Sequence, residues 1–126
     1  MFEKNYSEWL LQSDYDFGTA EAMFESGRYF YAIFMCHLSL EKCLKGIYCK
    51  NLNELPPKTH NLIYLIEKIS LKLPDDIYQF IYSINAESVA TRYPDDIQRA
   101  IKEYSKEKTI ERIYNSKKAL QWLKKN

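Results

Sequence analysis

The sequence lacks several features that would place it in common classes of protein. No apolar stretch approaches the roughly 18 uncharged residues that a transmembrane helix needs. The first ten residues, MFEKNYSEWL, put acids and a base where a secretory signal has a basic segment followed by an apolar run. Glycine-rich phosphate loops and the HExxH, GxSxG and CxxC motifs are also missing. We therefore expect a cytoplasmic protein without a membrane span, and neither a conventional hydrolase nor a nucleotide-hydrolysing enzyme.

Cysteine is scarce, and its spacing does not indicate cross-linking. The three cysteines, Cys36, Cys43 and Cys49, make an odd number and include no paired CxxC spacing. Neither a disulfide framework nor a zinc knuckle is indicated. Reduced thiols on a helix are the simplest interpretation, and we expect no metal and no cofactor.

Charge of one sign does not dominate the chain, whose formal net charge is +1. This balance argues against a protein that attracts nucleic acid over its whole surface. The charge is uneven, however, because residues 106–126 contain seven lysines and arginines against two glutamates. This local excess favours either binding to a polyanion or, more simply, a solvated basic face of a helix.

What the sequence does have is helical periodicity. Apolar residues recur at helical spacing from Asn5 to Ser26, from Arg28 to Asn51 and from Asn61 to Lys72. Between and after these segments come a loop at residues 52–59 with Pro56 and Pro57, helix starts at Pro74 and Pro94, and a last helix capped by Ser105. The pattern and the length predict a single domain, residues 1–126, with an all-α fold. Its architecture should be an up-and-down antiparallel bundle of four main helices plus a short extra helix.

The second predicted helix carries His37 and Glu41, which lie four residues apart and can face one ligand. Two side chains do not make a metal site, and no third ligand stands at a completing spacing. His37 falls within the apolar stripe, so it is either a packed, hydrogen-bonded histidine or a group in a cleft. Glu41 and Lys45 have the favourable order for a surface ion pair on a helix.

His60 stands in the predicted loop ahead of the third helix. There it could act as an acid or a base, because histidine titrates near neutral pH. Its neighbours Thr59 and Asn61 are natural helix-capping residues, so a simple capping sequence is the alternative.

The segment Arg92, Tyr93, Pro94 and Asp95 places an arginine and an aromatic ring before a proline-started helix. Such a pair can present a guanidinium to a phosphate and a ring to a base. The alternative is an arginine that pairs with Asp95 or its neighbour and locks the loop. The chain also has 11 tyrosines, whose amphipathic rings suit an oligomer interface.

Taken together, these segments resemble the HEPN family, helical domains that are often paired with minimal nucleotidyltransferases. The resemblance runs through HLSLEKCLK, KTHNLIYLIEKI, TRYPD and the C-terminal SKEKTIERIYNSKKALQWLKK, and so covers nearly the whole chain. It implies an up-and-down helical bundle that forms a homodimer with a cleft between the subunits. It also implies a nucleotidyltransferase partner, or a nucleotide or RNA as ligand.

Some members of that family are ribonuclease toxins whose activity depends on an Arg-x(4-6)-His motif. The motif is absent here, because the positions that would hold its arginine are Phe30, Tyr31 and Ala32 before His37, and Asn53, Glu54 and Leu55 before His60. The resemblance therefore implies a member of the binding or accessory kind.

The first functional hypothesis is an accessory or binding module of a toxin–antitoxin-like pair. It would hold a nucleotide or an RNA phosphate near Arg92, Tyr93 and His37, with Glu41 and Lys45 as further ligand-binding candidates, or dock a nucleotidyltransferase.

The alternative hypothesis is a metal-independent ribonuclease that has rebuilt its machinery from Arg92, Asp95 and His60 across a dimer. Arginine would stabilise the charge that develops on the phosphate, and histidine would move the proton. This alternative requires His60 and Arg92 to lie at one site.

Overall fold

The structure is a computed structural model that describes residues 5–126. Within that range the chain forms helices only, in agreement with the predicted all-α antiparallel bundle. The seven helices are α1 (Tyr6–Glu25), α2 (Tyr29–Leu52), α3 (Leu62–Ile69), α4 (Asp75–Ala86), α5 (Ser88–Arg92), α6 (Ile97–Glu103) and α7 (Lys106–Lys125). None of these described helices is both long and apolar enough to cross a membrane.

The first two helices pack closely because small residues line their contact. Ser13 Oγ donates to the carbonyl oxygen of Ser39 at 2.7 Å, and Ser39 Oγ donates to that of Ser13 at 2.8 Å. Near the other end of the contact, a Cβ atom added to Gly46 would lie 3.0 Å from the Cβ of Trp9. The reciprocal serine bonds and the glycine let the two backbones approach without leaving the serine hydroxyls unpaired.

Helix α2 is the centre of the bundle, as its length predicts. It packs against α1, α7, α3 and α5, so its side chains are buried on several sides. Ile33, Leu40, Leu44 and Ile47 are almost completely buried. Polar groups on α2 are therefore buried too, and each of them needs a partner.

The last helix lies antiparallel to α1 and presents most of its basic residues to solvent. Lys124 forms an ion pair with Asp14 of α1, and Lys117 and Glu21 line the same groove further along. Lys118 pairs with Asp76 at 2.7 Å. The basic C-terminal segment is thus partly neutralised by acids on neighbouring helices.

The structure differs from the predicted helices in three places: two boundaries and one additional helix. Helix α3 ends at Ile69 instead of continuing to Lys72, because Ser70 adopts a left-handed backbone conformation with a φ of 60°. Helix α5 was not predicted. Pro94 does not begin the next helix, since Asp96 caps α6 by accepting from the Arg99 N–H at 3.2 Å.

Candidate functional site

Five polar side chains from four parts of the fold meet beside the middle of α2. The set consists of His37 and Glu41 of α2, His60 in the loop before α3, Asn85 of α4 and Arg92 at the end of α5. We call them the polar cluster. They come together because α3, α4 and α5 all pack near α2.

Glu41 is the buried anion of the polar cluster, with a side chain that is 5% exposed. Its Oε2 accepts from Lys45 Nζ at 2.9 Å, and its Oε1 lies 2.9 Å from His60 Nδ1. The prediction of a surface pair between Glu41 and Lys45 is wrong, because Trp9 of α1 covers Lys45 at 5.9 Å from its ring centroid. Glu41 and Lys45 can both remain buried because they pair with each other, and Glu41 also contacts His60.

His60 combines an anchored ring nitrogen with an exposed ring. Its side chain is 61% exposed, although Nδ1 is held by Glu41. A carboxylate only accepts hydrogen bonds, so Nδ1 carries a proton and Nε2 is left for a ligand or a proton. The capping interpretation applies to its neighbours: Asn61 Oδ1 accepts from the Tyr64 N–H at 3.1 Å, and Thr59 Oγ1 accepts from the Asn61 N–H at 3.1 Å.

His37 is the packed, hydrogen-bonded histidine of the first alternative. It is completely buried, and its Nε2 lies 3.4 Å from Asn85 Oδ1. Burial lowers the pKa of His37, and the positive charges of Arg92 and His60 lower it further against the opposing effect of Glu41 and Asn85. His37 is therefore neutral at neutral pH and does not reach solvent.

Arg92 is the half-buried cation of the polar cluster. Its guanidinium carbon lies 4.8 Å from the centroid of the Phe34 ring, a cation–π contact. Among residues 5–126 it forms no ion pair with an acid, so the alternative of a lock with Asp95 or Asp96 is not what the structure shows. Asp96 instead caps α6. The donors of the guanidinium are available for an anion.

The three remaining candidates are Tyr93, Asp95 and Lys45. Tyr93 follows Arg92 directly and is 71% exposed. Asp95 is exposed beyond it. Lys45 is 7% exposed, and its Nζ lies 2.9 Å from Glu41 Oε2.

Helix α5, which ends at Arg92, is held in place by a residue of the C-terminal helix α7. Arg112 of α7 donates to both carboxylate oxygens of Glu87, from Nε at 2.9 Å and from Nη2 at 3.0 Å. The Glu87 carbonyl accepts from the fully buried Thr91 hydroxyl at 2.9 Å. The hydrogen bonds that Arg112 donates to Glu87 raise the pKa of the guanidinium.

The described residues contain no group of three or more His, Cys, Asp or Glu side chains arranged to hold a metal ion. Two of the thiols are also poor ligands, because burial raises the pKa of Cys36 and of Cys43 to about 12.

Asn85 is the member of the polar cluster that sequence reasoning missed. A signal for it exists, since Asn85 follows Ile81 by one helical turn and so continues the buried stripe of α4. An amide in an apolar stripe needs buried partners, and that requirement singles it out.

The structure is therefore an all-helical bundle built on one central helix. A carboxylate, two histidines and an arginine lie on or beside that helix and form the candidate site. The HEPN domain family model matches residues 6–126. The chain belongs to the HEPN family.

Solved structures give the same fold. TT1696 from Thermus thermophilus superposes with a TM-score of 0.83 at 21% identity, covering 95% of this chain and 96% of that one. ST0689, an archaeal HEPN homologue, superposes with a TM-score of 0.77 at 23% identity, covering 97% of each chain. No curated protein sequence matches the chain.

Proposed function

We propose that this HEPN protein is a binding module that holds the phosphate of a nucleotide or of RNA between His60 and Arg92. The observation that carries the proposal is the contact of the buried Glu41 with His60 Nδ1, which leaves Nε2 of an exposed ring available to a ligand. When that ring takes up a second proton, Nε2 becomes a donor to an anion.

Arg92 supplies the second cationic group. The charges of both Arg92 and His60 act on the buried His37 ring, which supports their placement around one part of α2. A guanidinium with no acidic partner among the described residues can bind two phosphate oxygens at once. The exposed Tyr93 next to it offers a ring for a base to stack on.

A ligand titration observed at the histidine rings tests the proposal directly, because the chain has two histidines and their signals can be told apart. We would label them with ¹⁵N and follow both rings by NMR while adding inorganic phosphate, AMP or a short RNA. Ligand should shift the His60 ring signals, and Arg92→Ala should weaken binding by about tenfold or more.

Arg99→Ala is the matched control, since Arg99 is an exposed arginine on the neighbouring α6. It should bind as the parent does. An unchanged His60 spectrum with all ligands, or equal losses in Arg92→Ala and Arg99→Ala, would contradict the proposed site.

The geometry also supports the alternative, a metal-independent ribonuclease. A histidine whose Nδ1 is held by a buried carboxylate is the arrangement of a general base. His60 Nε2 would take the proton of an RNA 2′-hydroxyl while the 2′ oxygen attacks the phosphorus. The bond to the 5′ oxygen would break, which leaves a 2′,3′-cyclic phosphate, and the 5′ oxygen would leave with a proton from solvent. Arg92 would stabilise the charge on the phosphate.

Incubation of end-labelled mixed RNA with the protein, without metal, separates the two functions. Cleavage by the parent, but not by Arg92→Ala or His60→Gln, would favour the ribonuclease over the binding module. Intact RNA together with a shifted His60 ring would favour binding alone.

We further propose that the protein forms a homodimer through the surface around Tyr31, Ile97 and Ile101. These side chains are 41%, 53% and 54% exposed and surround an apolar cavity of 140 Å³ between α2 and α6. Light scattering should give twice the monomer mass for the parent, and Ile101→Asp should give a monomer. A parent that is monomeric at high concentration would contradict the proposed dimer.

A further inference from the structure

Asn85 connects parts of the polar cluster that are far apart in the sequence. Its Oδ1 accepts from the Leu62 N–H at 2.9 Å and lies 3.4 Å from His37 Nε2. Its Nδ2 donates to Asn61 Oδ1 at 3.2 Å. One amide on α4 thus contacts both the central helix and the start of α3.

The direction of these hydrogen bonds is set by the backbone. A peptide N–H can only donate, so the Leu62 N–H requires the oxygen of the Asn85 amide to face it. The same oxygen lies next to His37 Nε2, which must therefore carry the proton of the neutral ring. The amide nitrogen is then the donor to Asn61 Oδ1.

The contacts of Asn85 also affect the position of His60, which lies just before the start of α3. Helix α3 begins at Leu62, and the N–H groups of a first turn have no partners within their own helix. Asn85 satisfies the Leu62 N–H, while Asn61 satisfies that of Tyr64. His60 lies directly before this double cap, so the position of its Cα depends on where the cap is held.

We propose that Asn85 is a positioning residue for His60: by tying the start of α3 to α4, it places the imidazole where Nδ1 meets Glu41 and Nε2 stays free. The inference concerns the same site as the proposed phosphate-binding function and rests on it for its purpose. The geometry of His60 itself can be measured without any ligand.

The test is the tautomer of the His60 ring, read from the ¹⁵N shifts of the two labelled histidines in the protein without ligand. In the parent, neutral His60 should be the Nδ1–H tautomer and His37 the Nε2–H tautomer. Asn85→Ala should move His60 towards the mixture found in free imidazole. It should also weaken phosphate binding by about tenfold, the lower end of the losses seen when outer-shell partners of metal-bound histidines are removed.

Asn85→Asp is the conservative variant, because its carboxylate still accepts from the Leu62 N–H. It should keep the Nδ1–H tautomer of His60. Gln79→Ala, at an exposed position of the same helix, should change neither ring. If Asn85→Ala does not fold, Asn61→Ala removes at an exposed residue both the contact with Asn85 Nδ2 and the cap on the Tyr64 N–H, and it should shift His60 in the same direction.

A folded Asn85→Ala or Asn61→Ala protein with an unchanged His60 tautomer would overturn the positioning role. Failure of the proposed function looks different: the parent would show the tautomers described above, and Asn85→Ala would shift them, but phosphate would perturb neither ring.

Discussion

Arg112 and Glu87 form a two-point ion pair between α7 and the start of α5, with the donor nitrogens 2.9 and 3.0 Å from the two carboxylate oxygens. Both side chains are largely covered, at 13% and 18% exposure. The pair fixes the helix that ends in Arg92, so a residue of the C-terminal helix determines where the cationic group of the candidate site lies.

Replacing Arg112 by alanine should therefore affect both stability and ligand binding. We expect a loss of about 1 to 2 kcal/mol in the free energy of unfolding, because the Glu87 carboxylate loses a charged partner. Urea melts followed by circular dichroism measure this loss. Lys118→Ala, which removes an exposed ion pair with Asp76, should change the midpoint little. Similar midpoints for the two variants would contradict the role of Arg112.

The two interior glycines of the long helices should respond to alanine in opposite directions. A Cβ at Gly46 meets the Trp9 Cβ at 3.0 Å, so Gly46→Ala should push α1 away and cost about 1 to 3 kcal/mol. Gly18 has no atom within 4 Å of an added Cβ, so Gly18→Ala should stabilise by about 0.5 to 1 kcal/mol through helix propensity. Thermal melts compare the pair, and a stabilised Gly46→Ala protein would refute the close approach.

Leu40 provides the test of the central helix. It is completely buried on α2, and Leu40→Ala should cost about 2 to 5 kcal/mol in denaturant melts through lost burial and a cavity. Leu11→Ala is the control, because Leu11 is 64% exposed on α1 and should lose less than about 0.5 kcal/mol. A loss below about 1 kcal/mol for Leu40→Ala would contradict the assigned core.

Stability should fall in mild acid because of His37. Its pKa in the folded protein lies below the ordinary 6.5, so the unfolded chain binds the proton more readily than the folded one. The free energy of unfolding therefore decreases as the pH falls below 6.5 towards the lowered pKa of His37. Above pH 6.5 the stabilisation from neutral His37 is fully present.

His37→Gln isolates that effect among the neighbouring charges of Glu41, Arg92 and His60. Urea melts of parent and variant should converge or cross as the pH is lowered through this window. A constant difference in free energy across the window would show that His37 does not titrate as the burial of its ring requires.

The cysteines should differ in reactivity. Burial raises the pKa of Cys36 and Cys43 to about 12, so neither forms thiolate at mildly alkaline pH. Ellman's reagent should modify at most Cys49 in the native protein and all three thiols after denaturation. Cys49→Ser should abolish the native reaction, whereas a persistent reaction would reveal an opening of the bundle at α2.

The sequence predicts the long helices well and the short ones poorly, for a physical reason. Helices α1 and α2 bury a stripe over several turns, so the apolar repeat locates them to within a residue or two. Helix α5 has five residues and cannot show a repeat. Its position depends on Glu87 and Arg112, which are 25 residues apart in sequence and meet only in the folded bundle.

The sequence shows most residues of the candidate site but not how they come together. Helical spacing links His37 with Glu41, but no spacing links this pair with His60 or Arg92. The contacts from the pair to His60 and to Asn85 span 19 and 48 residues. The burial of Glu41 could not be predicted either, since a helical Glu–Lys spacing looks the same on a surface. Only the packing of α2 inside the bundle distinguishes the two situations.

The antiparallel pairing of α1 and α7 has a mechanical consequence. Asp14 lies beside Lys124, and the shared groove continues to Glu21 and Lys117, so Asn5 and Asn126 lie towards the same end of this pair. A pulling force applied between those two residues would load the contacts in series, beginning at Asp14 and Lys124. The contact between α1 and α7 would then open one residue pair after another instead of resisting as a sheared interface.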